Sequence, residues 1–128
     1  MGTITEKTLC DKYIKACELL DWNVRHYTDG SGERRAELET WSPLGENLVL
    51  DFSVENFVDE VKEYAADFSA DEHAEPLIMN RGNNGIPNSI RELLNDADAI
   101  DQMLKKLAEA VQKAADEIER EAEQCLTE

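Results

Sequence analysis

The chain has 128 residues, the usual size of one domain, and 41% of them are hydrophobic, so it can bury a core without disulfides or a structural metal. Asp and Glu number 29 against 13 Lys and Arg, which gives a formal net charge of -16 at pH 7. This charge disfavours direct binding to nucleic acid or to an anionic membrane surface, because both carry charge of the same sign.

Cysteine usage indicates a reducing compartment. The three cysteines, Cys10, Cys17 and Cys125, are odd in number and widely spaced, and we expect no signal segment at the start of the chain. We therefore predict a cytoplasmic protein in which Cys17 and Cys125 are small core or rim residues. No run approaches the roughly 18 apolar residues that a membrane span needs, so no membrane association is expected.

The first half of the chain changes from a helical to a strand period. A capping-box spacing at Thr3 and Glu6 and an apolar stripe predict a helix over residues 5–20. From Trp22 the period is two, and the segment Asp29-Gly30-Ser31-Gly32 favours a hairpin turn. Three antiparallel strands are predicted. Within each strand one set of residues alternates with its neighbours: Trp22, Val24 and His26 in the first, Ala36, Leu38 and Thr40 in the second, and Leu48, Leu50 and Phe52 in the third.

A second helix follows, for which Ser53 is the expected cap. Its apolar stripe consists of Phe57, Val58, Val61, Ala65 and Phe68, which leaves its acidic residues toward solvent. From residue 69 to 88 the periodicity fails, and we predict a loop with a turn from Gly82 to Pro87. The segment Pro76-Leu77-Ile78-Met79 could add a short edge strand within that loop.

The C-terminal third predicts one long helix with a heptad seam. Ser89 and Glu92 have the spacing of a capping box, and no Gly or Pro interrupts the segment that follows. The seam consists of Leu93, Ala97, Ile100, Leu104, Leu107, Val111, Ala114 and Ile118. Either the helix breaks near Asn95-Asp96, where Asp96 could cap a second segment, or its distal half packs against another chain.

These elements predict an α+β fold: a three-stranded antiparallel meander packed by helices, with a long C-terminal helix. We expect a single domain, with an α+β head over residues 1–88 and the long helix over residues 89–128.

No local motif predicts an enzyme, a cofactor or a metal site. His73 stands among Asp71, Glu72 and Glu75, residue types that hold metals or exchange protons. Neighbouring side chains on one short segment cannot all converge, so we do not expect metal binding there. Catalytic triads, Cys-x-x-Cys pairs, phosphate-binding loops and EF-hands are likewise lacking in the sequence.

The distribution of acidic residues carries the functional prediction. Residues 53–75 hold eight acids and one base, and residues 89–128 hold eleven acids and five bases. Carboxylates repeated along a helix can imitate nucleic-acid phosphates toward a basic protein, although a solvated helix face that serves only solubility explains the same pattern. The predicted contacts with a basic partner are Asp59, Glu60, Glu63, Asp67, Asp116 and Glu117.

The competing interpretation is a self-associating structural or regulatory adaptor. Its heptad seam would form a coiled-coil homodimer, and its acidity would serve solubility alone. The predicted self-association residues are Leu104, Leu107, Val111 and Ile118.

Three segments resemble a family of small uncharacterised acidic proteins encoded on conjugative and other mobile elements of gut bacteria. They are Trp41-Ser42-Pro43-Leu44-Gly45-Glu46, Asp71-Glu72-His73-Ala74-Glu75 and the run from Arg81 to Ala97, RGNNGIPNSIRELLNDA. The resemblance spans about residues 22–110 and implies no catalytic residue. It implies a context, because such elements often carry inhibitors of restriction or CRISPR nucleases, and it favours a non-enzymatic inhibitor that acts by nucleic-acid mimicry.

Overall fold

The computed structural model describes residues 11–80 and 89–127, and these form an α+β fold with four helices and three strands. In chain order the elements are α1 (Asp11–Glu18), β1 (Asn23–Thr28), β2 (Arg34–Trp41), β3 (Asn47–Ser53), α2 (Phe57–Asp67), α3 (Ala70–Asn80) and α4 (Ile90–Thr127). The predictions for Thr3, Glu6, Cys10, the turn from Gly82 to Pro87 and the Cys125 side chain lie outside what the structure describes.

The three strands form the predicted antiparallel meander in the order β1-β2-β3. Leu38 in the central strand pairs with Val24 on one side and with Leu50 on the other. Ala36, Leu38 and Thr40 are buried, whereas the residues between them are partly exposed, so the predicted alternation of β2 is confirmed. One face of the sheet therefore packs on the helices.

The hairpin between β1 and β2 is held by Asp29. Its Oδ1 accepts hydrogen bonds from Ser31 N at 2.9 Å, Ser31 Oγ at 2.6 Å and Glu33 N at 3.0 Å. These bonds favour the ionised carboxylate and lower the pKa of Asp29, with the Ser31 hydroxyl as the largest cause. Gly32 completes the turn with a φ of +88°, a conformation that glycine adopts without steric cost.

Helix α1 ends two residues before the predicted boundary. Its last residue is Glu18, and the Cys17 carbonyl accepts from the N–H groups of both Leu20 and Trp22 at 3.1 Å. Asp21 takes a positive φ of 67°, which turns the chain into β1. Cys17 is fully buried, and this burial raises the pKa of its thiol to about 12, so its prediction as a core residue is confirmed.

One hydrophobic core joins the sheet to the long helix. Its members include Trp22, Leu38, Phe52, Val61 and Leu107, so every layer contributes side chains to it. Helices α1, α2 and α3 all pack on α4. The head and the helix are thus held together by shared apolar burial, the main stabilising term in folding.

Helix α4 is continuous, so the alternative in which it breaks near Asn95-Asp96 is wrong. Its N-terminal capping box is confirmed, since Ser89 Oγ accepts from Glu92 N at 3.1 Å and Glu92 Oε1 accepts from Ser89 N at 2.9 Å. Asp96 does not cap a helix. It is 7% exposed and accepts hydrogen bonds from Ser42 Oγ at 2.7 Å and from Leu44 N at 3.0 Å. It holds the turn between β2 and β3 against α4.

Helix α3 replaces the loop and edge strand predicted between residues 69 and 80. Ser69 begins it, because Ser69 Oγ accepts from Glu72 N at 3.3 Å and Ser69 O accepts from His73 N at 3.0 Å. Pro76 lies inside the helix and removes one backbone donor. Ala74 is fully buried, and α3 packs on α4. This tertiary burial outweighs the unfavourable proline.

Helix α2 is present as predicted, but Ser53 is not its cap. The cap position is Asn56, whose side chain makes no capping hydrogen bond, and Ser53 is the last residue of β3. Ser53 Oγ is buried without a hydrogen-bond partner among the described residues. The backbone N–H of Ser53 instead donates to Glu60 Oε1 at 2.8 Å, which ties the first turn of α2 to the sheet.

Candidate functional site: an acidic surface on α2 and α3

The apolar period of α2 determines which of its acids face solvent. Phe57, Val61 and Ala65 recur every four residues and are at most 5% exposed. Asp59, Glu63 and Asp67 also recur every four residues, on the opposite side, and all three are exposed. Together with the neighbouring Glu60 these residues form an acidic stripe, which consists of Asp59, Glu60, Glu63 and Asp67.

Most of the acidic stripe is not neutralised within the described part of the chain. Asp59, Glu63 and Asp67 form no ion pair with a described Lys or Arg. Lys62, the only cation on α2, donates to Gln112 Oε1 at 2.7 Å, on the side that faces α4. Glu60 is different, because its carboxylate holds the Ser53 backbone. Three of the four predicted contacts on α2 are therefore free to meet a partner, and Glu60 has a structural role as well.

On the outer face of the sheet, in contrast to the acidic stripe, carboxylates are paired with arginine side chains. There Arg25 pairs with Glu37 at 3.0 Å, and Arg35 pairs with Asp51 at 2.7 Å. Tyr27 also donates to Asp51, and this hydrogen bond is the largest cause that raises the pKa of the Tyr27 hydroxyl. Because these carboxylates are already paired with cations, they contribute less to the outward negative potential than the acidic stripe does.

Two shallow grooves run along the acidic stripe and meet at Tyr64 and Asp67. The first, about 430 Å³, is lined by Phe52, Glu60, Glu63, Tyr64 and Asp67. The second, about 350 Å³, continues through Phe68, Ser69, Glu72 and His73. Tyr64 is 43% exposed, and its ring meets Phe52 edge to face with centroids 6.0 Å apart. The grooves therefore place an exposed aromatic ring among carboxylates from two helices.

This arrangement is suited to binding cations. A step of four helical residues is about 6 Å, which is shorter than the Debye length of about 8 Å at physiological salt, so the potentials of successive carboxylates add. An aromatic ring beside them can also hold a guanidinium or ammonium group by cation–π attraction. The surface is thus complementary to Arg and Lys side chains of a partner protein.

Asp116 and Glu117 do not share these grooves with the acidic stripe. Asp116 accepts from Gln112 Nε2 at 3.0 Å and lines a separate groove with Lys62 and Lys113. Glu117 lies 3.9 Å from Lys12 Nζ, on the side of α4 that faces α1. The two residues are therefore placed on different sides of α4, each close to a lysine. The six predicted contacts do not form one surface.

The predicted self-association residues lie mostly within the chain's own core. Leu104, Leu107 and Val111 are at most 2% exposed and pack with the sheet and the shorter helices. They cannot be buried against a second chain at the same time, so the prediction of an uncovered seam is wrong for these three residues. Ile118 is half-buried near the end of the seam. The seam is covered within the chain because α1, α2 and α3 all pack along α4.

His73 finds a partner that the sequence did not indicate. Its Nε2 lies 2.9 Å from the Glu46 carboxylate, and its ring centroid lies 5.4 Å from that of Phe68. The neighbouring acids Asp71 and Glu75 are exposed and do not converge on the imidazole. Among the described residues no group of three or more His, Cys, Asp or Glu side chains could hold a metal ion.

Comparison with known proteins gives no relative: no family model, no curated protein and no solved structure matches this chain. None of the helices within the described ranges is long and apolar enough to cross a membrane. The resemblance to the mobile-element family stays a hypothesis.

Proposed function

We propose that this chain is a non-enzymatic acidic binding protein that engages a basic protein partner through the acidic stripe. The most specific partner that we infer is a nuclease of a host defence system, in restriction or in CRISPR immunity, whose nucleic-acid site the carboxylates would occupy by mimicry. The cytoplasm is the compartment in which such an encounter would take place. The single observation that carries the proposal is that Asp59, Glu63 and Asp67 are exposed without a cation partner among the described residues.

Electrostatics supports a fast encounter with a basic partner. A chain with a formal charge of -16 attracts a cationic surface over long range, and such steering raises association rates by about 10- to 1,000-fold at low salt. The unpaired carboxylates then provide local complementarity, which favours the correct partner. We therefore expect binding that weakens steeply with added salt.

The adaptor alternative needs a different surface from the predicted seam. Leu104, Leu107 and Val111 are buried in the chain's own core, which leaves Ile118 as the partly accessible member of that set. Acidity that serves only solubility predicts no dependence on where the charges lie. This difference makes the two interpretations separable by experiment.

The test compares two charge-reversed variants with equal net charge. The stripe variant carries Asp59→Lys, Glu63→Lys and Asp67→Lys, and retains Glu60 because of its bond to Ser53 N. The control variant carries Asp98→Lys, Glu109→Lys and Glu119→Lys, three exposed acids of α4. Circular dichroism first checks that both variants keep the parent's fold and melting behaviour.

Each tagged protein is then used to capture partners from a bacterial host lysate at near-physiological salt and again at high salt, with identification by mass spectrometry. The proposal expects the parent and the control to retain a basic nuclease that high salt removes, and the stripe variant to lose it. The recovered nuclease should also be inhibited in a cleavage assay by the parent and not by the stripe variant. Equal capture by the stripe variant and the parent would contradict the proposal.

A further inference from the structure

A further groove, whose lining includes no residue of the acidic stripe, has a different chemistry. It lies between α1 and α4 and has a volume of about 390 Å³. Its walls and floor are lined by Lys12, Lys15, Ala16, Leu19, Leu20, Ala110, Lys113, Ala114 and Glu117. Five of these nine residues are apolar and three are lysines. The groove is therefore apolar along its length and cationic at its edges.

Two of the lysines have no acidic partner. Lys12 lies 2.9 Å from Glu121 and 3.9 Å from Glu117, so its single positive charge is shared between two carboxylates. Lys15 on α1 and Lys113 on α4 form no ion pair with any described acid. Lys15 and Lys113 therefore give this groove two positive charges that no described carboxylate neutralises by an ion pair.

The apolar surface of the groove is also uncovered. Leu19, the first residue after α1, is 84% exposed, the highest value among the large hydrophobic residues described. The floor of the groove consists of small side chains that end at Cβ, those of Ala16, Ala110 and Ala114. Covering an exposed leucine and this floor with hydrocarbon would be favourable, since apolar surface leaves water.

The size of the groove favours a small ligand over a docked helix. Ligand sites are typically about 300–1,000 Å³, apolar, with a few polar groups that fix orientation. The lining spans about two helical turns, and a docked helix of that length, about 10 Å wide, would occupy roughly 900 Å³. The groove offers about 390 Å³. An alkyl chain fills such a space, whereas a helix would remain mostly outside it.

We propose that this groove binds a small amphipathic carboxylate, with its alkyl chain on the alanine floor and its head group between Lys15 and Lys113. The net charge of -16 opposes the approach of an anion, but charges beyond about 8 Å are largely screened at physiological salt. The two ammonium groups at the rim act at contact distance, where attraction is strongest. The local chemistry therefore determines binding.

Laurate, a twelve-carbon carboxylate, is the probe. It is titrated below its micelle concentration into the full chain, and heat release by calorimetry gives the affinity and the stoichiometry. The expected result is one laurate per chain, with affinity reduced about tenfold by Lys15→Glu with Lys113→Glu, because two ion pairs are lost. The control, Lys105→Glu with Lys106→Glu, has the same net charge and should bind within about twofold of the parent.

Three further measurements make the proposal falsifiable. Lys15→Gln with Lys113→Gln should also weaken binding. Because this variant introduces no negative charge, it distinguishes loss of the ammonium groups from a fold disturbed by charge reversal. Ala110→Phe should weaken binding by filling the floor, and dodecanol, which lacks the carboxylate, should bind less tightly than laurate. The proposal would be overturned if laurate showed no saturable binding, or if the control variant weakened binding as much as the Lys15 and Lys113 variant does. It would also be overturned if an acidic helical peptide bound to this groove and laurate did not.

This inference does not depend on the proposed function. The groove is built from α1 and α4, and none of its lining residues belongs to the acidic stripe. The lysine variants leave Asp59, Glu63 and Asp67 unchanged, so they should capture the basic partner as the parent does. Failure of laurate binding and failure of partner capture would thus be observed in separate experiments.

Discussion

Replacing Asp96 tests whether a buried carboxylate holds the β2–β3 turn against α4. In the folded chain Oδ2 accepts from Ser42 Oγ at 2.7 Å, and Oδ1 accepts from Leu44 N at 3.0 Å. Ser42 Oγ in turn accepts from Glu46 N at 3.0 Å. Asp96→Ala removes both acceptors and leaves the Leu44 N–H without its partner. The structure therefore predicts a loss of stability from residues that belong neither to the acidic stripe nor to the groove between α1 and α4.

The magnitude follows from these two bonds. A hydrogen bond to a charged group contributes about 1.5–3 kcal/mol to net stability. Removal of a largely buried charge offsets part of this loss, and the higher helix propensity of alanine returns about 0.5 kcal/mol. We expect Asp96→Ala to lower the free energy of unfolding by about 3 kcal/mol. For 128 residues this corresponds to a decrease of about 10 °C in the melting temperature.

The assay is urea and thermal unfolding followed by far-UV circular dichroism, with Asp98→Ala as the matched control. Asp98 lies on the same helix, is exposed and has no described partner, so its replacement should change stability by at most about 0.5 kcal/mol. A double-mutant cycle with Ser42→Ala should give a coupling energy of about 1 kcal/mol or more. If Asp96→Ala costs no more than Asp98→Ala, the inferred clamp is refuted.

Pro76→Ala should stabilise the chain by about 1–3 kcal/mol in urea unfolding, because a proline inside α3 lacks the N–H of a helical hydrogen bond; a loss of stability would count against a helix there. Leu107→Asp should unfold the chain rather than yield a folded monomer, since Leu107 is fully buried and a carboxylate there costs more than about 4 kcal/mol; circular dichroism with gel filtration distinguishes the two results. Cys17 in the folded chain keeps its proton up to a pKa of about 12, against 9.0 without burial, so stability should fall as pH rises between these values. Cys17→Ala should reduce that decline in urea unfolding at pH 8 and pH 10, and an unchanged decline would show that other groups cause it.

The candidate site was only partly predictable. The apolar period of α2 predicted that Asp59, Glu63 and Asp67 face solvent, and the structure bears this out. Nothing in the local pattern indicated that Glu60 would hold the Ser53 backbone or that Phe52 and Tyr64 would line the same groove. These contacts join two elements, and a periodicity within one element carries no information about its neighbour.

The sequence of α3 contains a helix-start signal, but other features of the segment led to the prediction of a loop. Ser69 and Glu72 have the spacing of a capping box, and Ser69 Oγ does accept from Glu72 N. The failure of the apolar period from residue 69 led to the prediction of a loop, and Pro76 disfavours an isolated helix in the same segment. The side of α3 that carries the buried Ala74 packs on α4, and this burial stabilises the helix despite Pro76. The sequence contained the start of this helix and not the surface that stabilises it.

The sequence alone determined the α+β class, the order and faces of the strands, the long helix and the excess of negative charge, because binary patterning and composition are local properties. Tertiary structure alone decided what the seam of α4 packs against and which polar groups meet. Asp96 reaches Ser42 across 54 residues, and His73 reaches Glu46 across 27. Such pairs form because apolar burial brings distant segments together, and only then does a buried carboxylate acquire the donors that satisfy it.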